Sequence, residues 1–417
     1  VLRFLHISDI HFATAFDDAP EIDVDAEVRE RMLVDFGQMR ERCGTFDAIL
    51  VVGDIAARGK EKEFKNAEHF LASAAEIIGC PSDRVICVPG NHDVDRNLQV
   101  PAHQHVRSSL RSMLAEGVSD AVVAMVREPL SSEVLLRPFT EYNKFALAYD
   151  CDLSGERPMW PPKSFPLGDR SVEVHGVTSS WIADGSEAPK AGQQLVSGVF
   201  QAVPVRSDAS RVCVALCHHP PSWLLDGELM KPWLAQASLV LTGHEHVAGL
   251  TMSDDERTLY IASGAVNPER TNHGWVPAYN VIELDDADDE QVARVLVYVR
   301  VWQGAYGHAE FGRDPDRGDP EVFNVKLGAG WDPPLQPPIE AVIDLPPEPI
   351  TSAKHSQVHT IMTAAPDERL RTAKELGLEL SDGLMGLEAD REILHLAHEN
   401  GLLAELAARL VQGGDNV

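Results

Sequence analysis

Short apolar runs bounded by turn residues punctuate the first 300 positions of the chain. LRFLHI at 2–7 and AILVV at 48–52 are almost continuously hydrophobic over strand length, the pattern of strands buried on both faces. Between them, Val28, Met32, Phe36 and Met39 recur on one face of a predicted helix over 27–42. A second helix is predicted over about 61–78 from Phe64, Ala67, Phe70, Leu71 and Ala74, and a strand follows at 84–88. Strand–helix–strand alternation of this kind predicts a βαβ half-sheet and an α/β fold. Further strands at 171–178, 211–217, 238–242, 258–263, 278–284 and 291–301 predict a second half-sheet. The acidic turn at 285–290 reads as a hairpin connection with solvated charges.

Between these halves, helical patterns at 106–116, 120–126 and 139–149 predict an insertion over about 95–165, near the mouth of any site at the strand ends. After residue 305 the pattern changes. Prolines and glycines dominate from 314 to 349, with D-P-D-R-G-D-P and W-D-P-P-L-Q-P-P, so residues 306–352 are expected to be a semi-rigid linker. Trp331 is a candidate anchor if the stretch instead wraps over the preceding domain. Residues 353–417 are expected to be a small helical unit. Pro366-Asp367-Glu368 opens one helix, a second covers 388–399 and stops at Asn400-Gly401, and Leu402, Leu403, Leu406, Ala407 and Leu410 form an apolar face. Its helical part, 355–412, has fewer than about 60 residues and so a marginal core, and this unit is expected to dock on the catalytic domain, a second copy or another protein.

Each of five strands runs into a block of metal-ligand residue types. The blocks are Asp9-Ile10-His11, Gly53-Asp54, Gly90-Asn91-His92-Asp93, His218-His219-Pro220 and Gly243-His244-Glu245-His246. Open α/β sheets gather their sites at the carboxyl ends of strands, so five such blocks converge on one edge. Carboxylate, amide and imidazole ligands together suit Mn²⁺, Fe, Zn²⁺ or Ni²⁺ better than Ca²⁺ or Cu(I).

The order D-x-H, G-D, G-N-H-D, H-x-P, G-H-x-H resembles the calcineurin-like metallophosphoesterase superfamily over roughly residues 2–300. Within it, the chain looks most like the bacterial branch that includes class III cyclic-nucleotide phosphodiesterases. The resemblance implies a four-layer α-β-β-α sandwich and a two-metal hydrolase of phosphate esters. It puts Asp9, His11 and His246 on one metal and Asn91, His218 and His244 on the other, with Asp54 bridging both. His218 is preferred to His219 because the ligand in that family lies two residues before the proline. The implied nucleophile is a hydroxide bridging two dications about 3.5–4 Å apart, with its pKa lowered toward about 7. His92 resembles the histidine that protonates the leaving oxygen, and Asp93 is expected to orient it from behind.

Arg58, four residues after the bridging position, is a candidate phosphate clamp. The tyrosine of purple acid phosphatases would stand at Ala57, which excludes that subfamily's chromophore. Asn267, Arg270, Asn272 and His273 follow one strand and are candidates for the site edge. His103 and His105 read as exposed loop histidines.

Composition narrows the partners. The formal charge is −29, with acid on both sides of residue 305. No Lys/Arg cluster of the kind that neutralises several phosphates is present, which disfavours nucleic acid as a partner. The six cysteines make no C-x-x-C pair, and several lie in apolar runs, which fits a reduced cytoplasmic setting. With a strand beginning at Leu2, no signal peptide is expected, and no apolar run reaches the roughly 18 residues of a membrane span. The leading expectation is a cytoplasmic phosphodiesterase acting on a small phosphate ester. A DNA or RNA nuclease on the same metal cradle is the enzymatic alternative. The third reading is an effector or scaffold whose C-terminal helices recruit a partner, or a second copy, that controls the phosphoesterase.

Overall fold

Register in the first sheet is set by the apolar runs already noted: Phe4 pairs with Ala48 in parallel, and Ile49 with Val85. The computed structural model describes residues 1–13, 26–187, 194–267, 276–286, 291–304, 309–327, 366–378, 393, 396–397, 400 and 402–414. Thirteen strands are described: β1 (Leu2–Ile7), β2 (Ala48–Val52), β3 (Val85–Val88), β4 (Lys163–Leu167), β5 (Arg170–Val177), β6 (Arg211–Cys217), β7 (Leu239–Thr242), β8 (Gly249–Met252), β9 (Leu259–Ala262), β10 (Ala278–Asp286), β11 (Val292–Gln303), β12 (Glu310–Arg313) and β13 (Glu321–Lys326). One sheet runs β12-β11-β10-β1-β2-β3, with β13 also paired to β11, and the other runs β4-β5-β6-β7-β9-β8. The central strands β1-β2-β3 and β5-β6-β7-β9 are parallel, so two sets of carboxyl ends are available for a site.

The sheets meet face to face, with the rings of Phe4 and Phe165 at 5.3 Å in an edge contact. Helix α1 (Ala26–Cys43) covers the first sheet's outer face, where Phe36 packs edge-on against Tyr279 at 4.9 Å. Beside it, the Tyr279 hydroxyl and both nitrogens of an Arg300 fork bond the buried Asp35 carboxylate. Helix α2 (Glu61–Ile78) turns Phe64, Phe70 and Leu71 inward and stops at Gly79, whose φ of 69° is the left-handed cap. The chain is thus α/β, with two facing sheets and helices outside.

The stretch between the halves forms α3 (Pro101–Arg111), α4 (Ala115–Arg127), α5 (Pro129–Leu136) and α6 (Thr140–Leu147). Part of it is core. Tyr142 and Phe145 of α6 pack on Phe64, and the Tyr142 hydroxyl donates to the Cys87 carbonyl. The α3 end instead clamps the loop after β5: Arg107 lies 2.8 Å from Asp184, and Gln99 donates to the Ala183 carbonyl. His103, expected exposed in a loop, is buried on α3, because the helix turns position 103 inward while His105 stays in solvent. Helix α7 (Gly227–Leu234) buries Met230 and Leu234.

Two expectations fail at the boundary after 305. Glu310–Arg313 and Glu321–Lys326 are edge strands on β11, and D-P-D-R-G-D-P is the turn between them. The proline-rich composition belongs here to a tight connection; the strands bury Phe311 and Val325, and Leu327 is buried just past β13. The chain divides into Val1–Pro334 and Leu335–Val417. Residues 328–365, including Trp331, and most of the helix expected at 388–399 lie outside the described residues. In the second unit, α8 (Pro366–Glu375) and α9 (Leu403–Gly414) are described, with Ala373, Leu406 and Leu410 buried. No helix among the described residues is long and apolar enough to cross a membrane.

Candidate metal centre

All five blocks leave the carboxyl ends of parallel strands, from β1, β2 and β3 in one sheet and β6 and β7 in the other. Three of the five turns, those of the first, second and fifth blocks, are strained in the same way. Asp9, His11, Asp54, His244 and His246 have φ between 51° and 64°, and only Asp150 and Glu256 share that left-handed region among described residues other than glycine. Such backbone costs of order 1–3 kcal/mol per residue and persists where the surroundings over-determine it, typically at functional sites. The adjoining glycines are required by close approach. A Cβ on Gly90 would stand 2.1 Å from Asp54 Oδ1, and one on Gly53 would stand 2.5 Å from His218 Nδ1.

Ligand-type atoms converge in the space these turns enclose. His218 Nε2 is 3.2 Å from Asp54 Oδ2, His11 Nε2 is 3.5 Å from the same oxygen, and His246 Nε2 is 3.3 Å from Asp9 Oδ1. Asp9 Oδ1, Asp54 Oδ2, His11 Nε2 and His218 Nε2 are buried and make no hydrogen bond. Buried polar atoms left without partners are costly, and four in one place call for a common one. Separations of 3.2–3.5 Å are close to the ligand–ligand edges expected around a cation bound at about 2.0–2.2 Å. The residues fit two cations. Asp9, His11 and His246 form one group and His218 and His244 stand in another, with Asp54 between His11 and His218.

The opposite ends of these side chains are anchored. His218 Nδ1 donates to the Val52 carbonyl at 2.7 Å, which aims Nε2 at Asp54. Ser8 donates from its hydroxyl, whose oxygen lies 2.5 Å from Asp9 Oδ2 and 2.6 Å from the Val52 carbonyl, and the His244 N–H also donates to Asp9 Oδ2. Burial opposes charge on Asp9, His11, Asp54 and His218. Against it, the carboxylates raise His11 to about 10 and His218 to about 9. Asp54 is likewise resisted by burial, yet His218, His92 and His11 hold it well below the ordinary carboxylate range.

His92 is held at both ends. Its backbone N–H donates to Asp54 Oδ1 at 2.7 Å, and its Nδ1 donates to the Ala57 carbonyl at 2.9 Å, leaving Nε2 as the reactive end. Its ring lies 4.6 Å from that of His11. Burial lowers its pKa, Asp54 pulls the other way, and His11 and Arg96 add to the lowering.

Asp93 departs from expectation. Adjacent side chains on this turn diverge, and the Asp93 carboxylate accepts from the Ala56 and Gly90 N–H groups at 2.7 and 2.8 Å. It staples two ligand loops together; the Ala57 carbonyl, not Asp93, orients His92. Burial first, and Asp54 second, push Asp93 up to about 7 against those N–H donors. Arg58 stands beside the entrance of α2. Its Nε and backbone N–H both bond Glu63, a buried carboxylate at the start of α2, so one edge of the guanidinium is engaged at the helix entrance.

His219 also belongs to the cluster. It is fully buried beside His218 and His244, with Nδ1 2.7 Å from Ser179 Oγ and Nε2 3.1 Å from Asn91 Oδ1. The doubled histidine before Pro220 was the sequence signal, but spacing alone cannot tell which ring faces Asp54. Trp223 had no signal; its ring stands 4.2 Å from His244 at 89°, and its Nε1 donates to Glu245. Asn267 is buried where the loop after β9 meets the first block, its N–H donating to the Asp9 carbonyl. Arg270, Asn272 and His273 lie outside the described residues.

Over 97 residues, 23% of this chain, the sequence is 33% identical to the uncharacterized metallophosphoesterase-like protein YydB of Bacillus subtilis. The chain spans only 18% of that relative's length. Among solved structures it is similar to a zinc complex of Vps29 from Entamoeba histolytica, at 10% identity and a TM-score of 0.31, covering 75% of this chain and 98% of that one. It is also similar to the sulfate thiohydrolase SoxB of Thermus thermophilus, at 12% identity and a TM-score of 0.33, covering 78% and 56%. The calcineurin-like phosphoesterase profile matches residues 2–248, a span that holds all five ligand blocks, and the chain belongs to that family.

Proposed function

We propose that this chain is a dinuclear metal-dependent phosphodiesterase acting on small phosphate esters, with cyclic nucleotides the first to try. The carrying observation is the set of four buried, unbonded ligand atoms facing one another, three of them on residues held in strained left-handed backbone. Two bound dications, from Mn, Fe, Zn or Ni, would bind and polarise the phosphoryl group and acidify a water into a nucleophile at neutral pH. Asp54 sits where one carboxylate can serve both, because the His92 N–H occupies Oδ1 and leaves Oδ2 between His11 and His218. His92 presents Nε2 beside His11 and donates a proton to the departing alkoxide, while the Ala57 carbonyl keeps the ring's other proton in place. The free cysteines, five of them buried, fit a reducing cytoplasm.

A substrate panel on metal-reconstituted protein tests the reading. Bis-p-nitrophenyl phosphate and cyclic nucleotides should turn over faster than p-nitrophenyl phosphate or single-stranded DNA. Preference for the monoester would overturn the diesterase assignment, and preference for DNA would make the chain a nuclease.

A further inference from the structure

We infer that the outer face of the second sheet carries a separate zinc-class cation site built from Glu173, His175 and Cys213. Glu173 and His175 alternate on β5 and share a face, and Cys213 is the register partner of Glu173 on β6. Their ligand atoms all lie within 4.8 Å of one another. His175 is 4% exposed, and its Nε2 makes no hydrogen bond while pointing toward Glu173 Oε2 at 3.5 Å. Ala215 is the register partner of His175, and its methyl leaves the imidazole room to lean back toward Glu173.

This site is distinct from the phosphoesterase centre. Cys213 lies near the start of β6 and His218 just past its end, about 16 Å away at the parallel rise of about 3.3 Å per residue. Thiolate, imidazole and carboxylate together select Zn²⁺, or its surrogate Co²⁺, over Mn²⁺ and Mg²⁺. Three protein ligands leave a fourth position for water on the Glu173 side, where that side chain is 20% exposed. A dication with one thiolate and one carboxylate is neutral overall, which limits the cost of burying it.

Two groups must yield. Arg211 Nη1 lies 3.5 Å from Glu173, but the arginine is half-exposed and its other nitrogen reaches Asp208 at 3.5 Å, to which it can retreat. The Cys213 thiol donates to the Arg206 carbonyl at 3.1 Å, and burial pushes it up to about 11, so cation binding must release its proton to solvent. Occupancy therefore rises with pH.

Cobalt titration of the full chain tests this directly. Among the described residues no cysteine stands in the ligand groups of the phosphoesterase centre, so a near-ultraviolet thiolate-to-cobalt charge-transfer band reports a site apart from it, and Cys213→Ser assigns the thiolate. The expected result is such a band in the wild type, lost in Cys213→Ser together with one metal equivalent, and lost or shifted in His175→Gln. It should persist in Asp54→Asn, which addresses only the phosphoesterase centre, so failure of one site is separable from failure of the other. A wild-type chain without the band overturns the inference whatever the variants do. A band that survives Cys213→Ser overturns it as well.

Discussion

His219 Nε2 lies 3.1 Å from Asn91 Oδ1, and no solvent reaches the ring. Burial, then the neighbouring His244 and His218, hold this imidazole well below its ordinary pKa, so it is neutral with one donor and one acceptor nitrogen. An amide oxygen only accepts, so Nε2 donates to Asn91 while Nδ1 accepts from the Ser179 hydroxyl. The relay fixes the direction in which Asn91 presents its oxygen. His219→Ala should weaken metal binding about 10–100-fold, the usual cost of losing a supporting partner, and His219→Gln should recover much of it. Metal titration of the two variants decides: outright loss of one equivalent, without rescue by glutamine, would make His219 a ligand.

Asp54→Asn should remove hydrolysis and lower metal content in both positions. His11 Nε2 and His218 Nε2 both face its Oδ2, and an amide cannot replace the charge shared between them. Elemental analysis with a diester assay checks this. Near-normal turnover with two metals retained would remove Asp54 from the bridging position.

His92→Ala should keep the metals and reduce diester turnover roughly 10²–10⁴-fold, the scale of general acid catalysis. The loss should shrink for nitrophenolate leaving groups, which need little protonation. Metal loss in this variant would make the His92 ring a ligand and remove it from the role of acid, since alanine keeps the backbone N–H on Asp54.

The ligand blocks and the central strands were legible because both leave short-range signatures. Buried parallel strands are continuous apolar runs, and the ligands follow them within a few residues. Edge strands leave no such mark. Lys163–Leu167 carries Pro166 in its middle, Gly249–Met252 has four residues, and the pair on β11 is separated by prolines and glycine; all lie at or near sheet margins, where proline is tolerated and one side is free. Side-chain partnership was the other gap. Asp93 follows His92 directly, yet the turn sends its carboxylate to Ala56 and Gly90, and one edge of the Arg58 guanidinium is engaged by Glu63 five residues on. Those choices depend on backbone direction in turns, which residue spacing does not carry.

Asp93→Asn should loosen the centre from behind. The carboxylate accepts two buried N–H groups, and an amide can accept only one before turning a donor toward the other. An unsatisfied buried donor costs about 1–3 kcal/mol. Urea unfolding should show a lower midpoint at unchanged slope, with metal affinity falling in parallel. An unchanged midpoint would mean that the loops hold their positions without the staple.

The place where the chain can be cut follows from β12 and β13. A chain ending at 334 keeps both strands and every ligand, the last of which is His246, so it should retain metals and activity on small diesters. A chain ending at 305 removes Phe311, Val325 and Leu327 from the edge of β11, each buried apolar side chain being worth about 1.5–3 kcal/mol. The shorter protein should melt earlier or fail to stay in solution, while the longer one differs from the full chain only in assembly state or partner capture. Light scattering, thermal melts and metal analysis on the three lengths separate these outcomes. A chain ending at 334 that is insoluble or metal-free would show that residues 335–417 complete the catalytic fold.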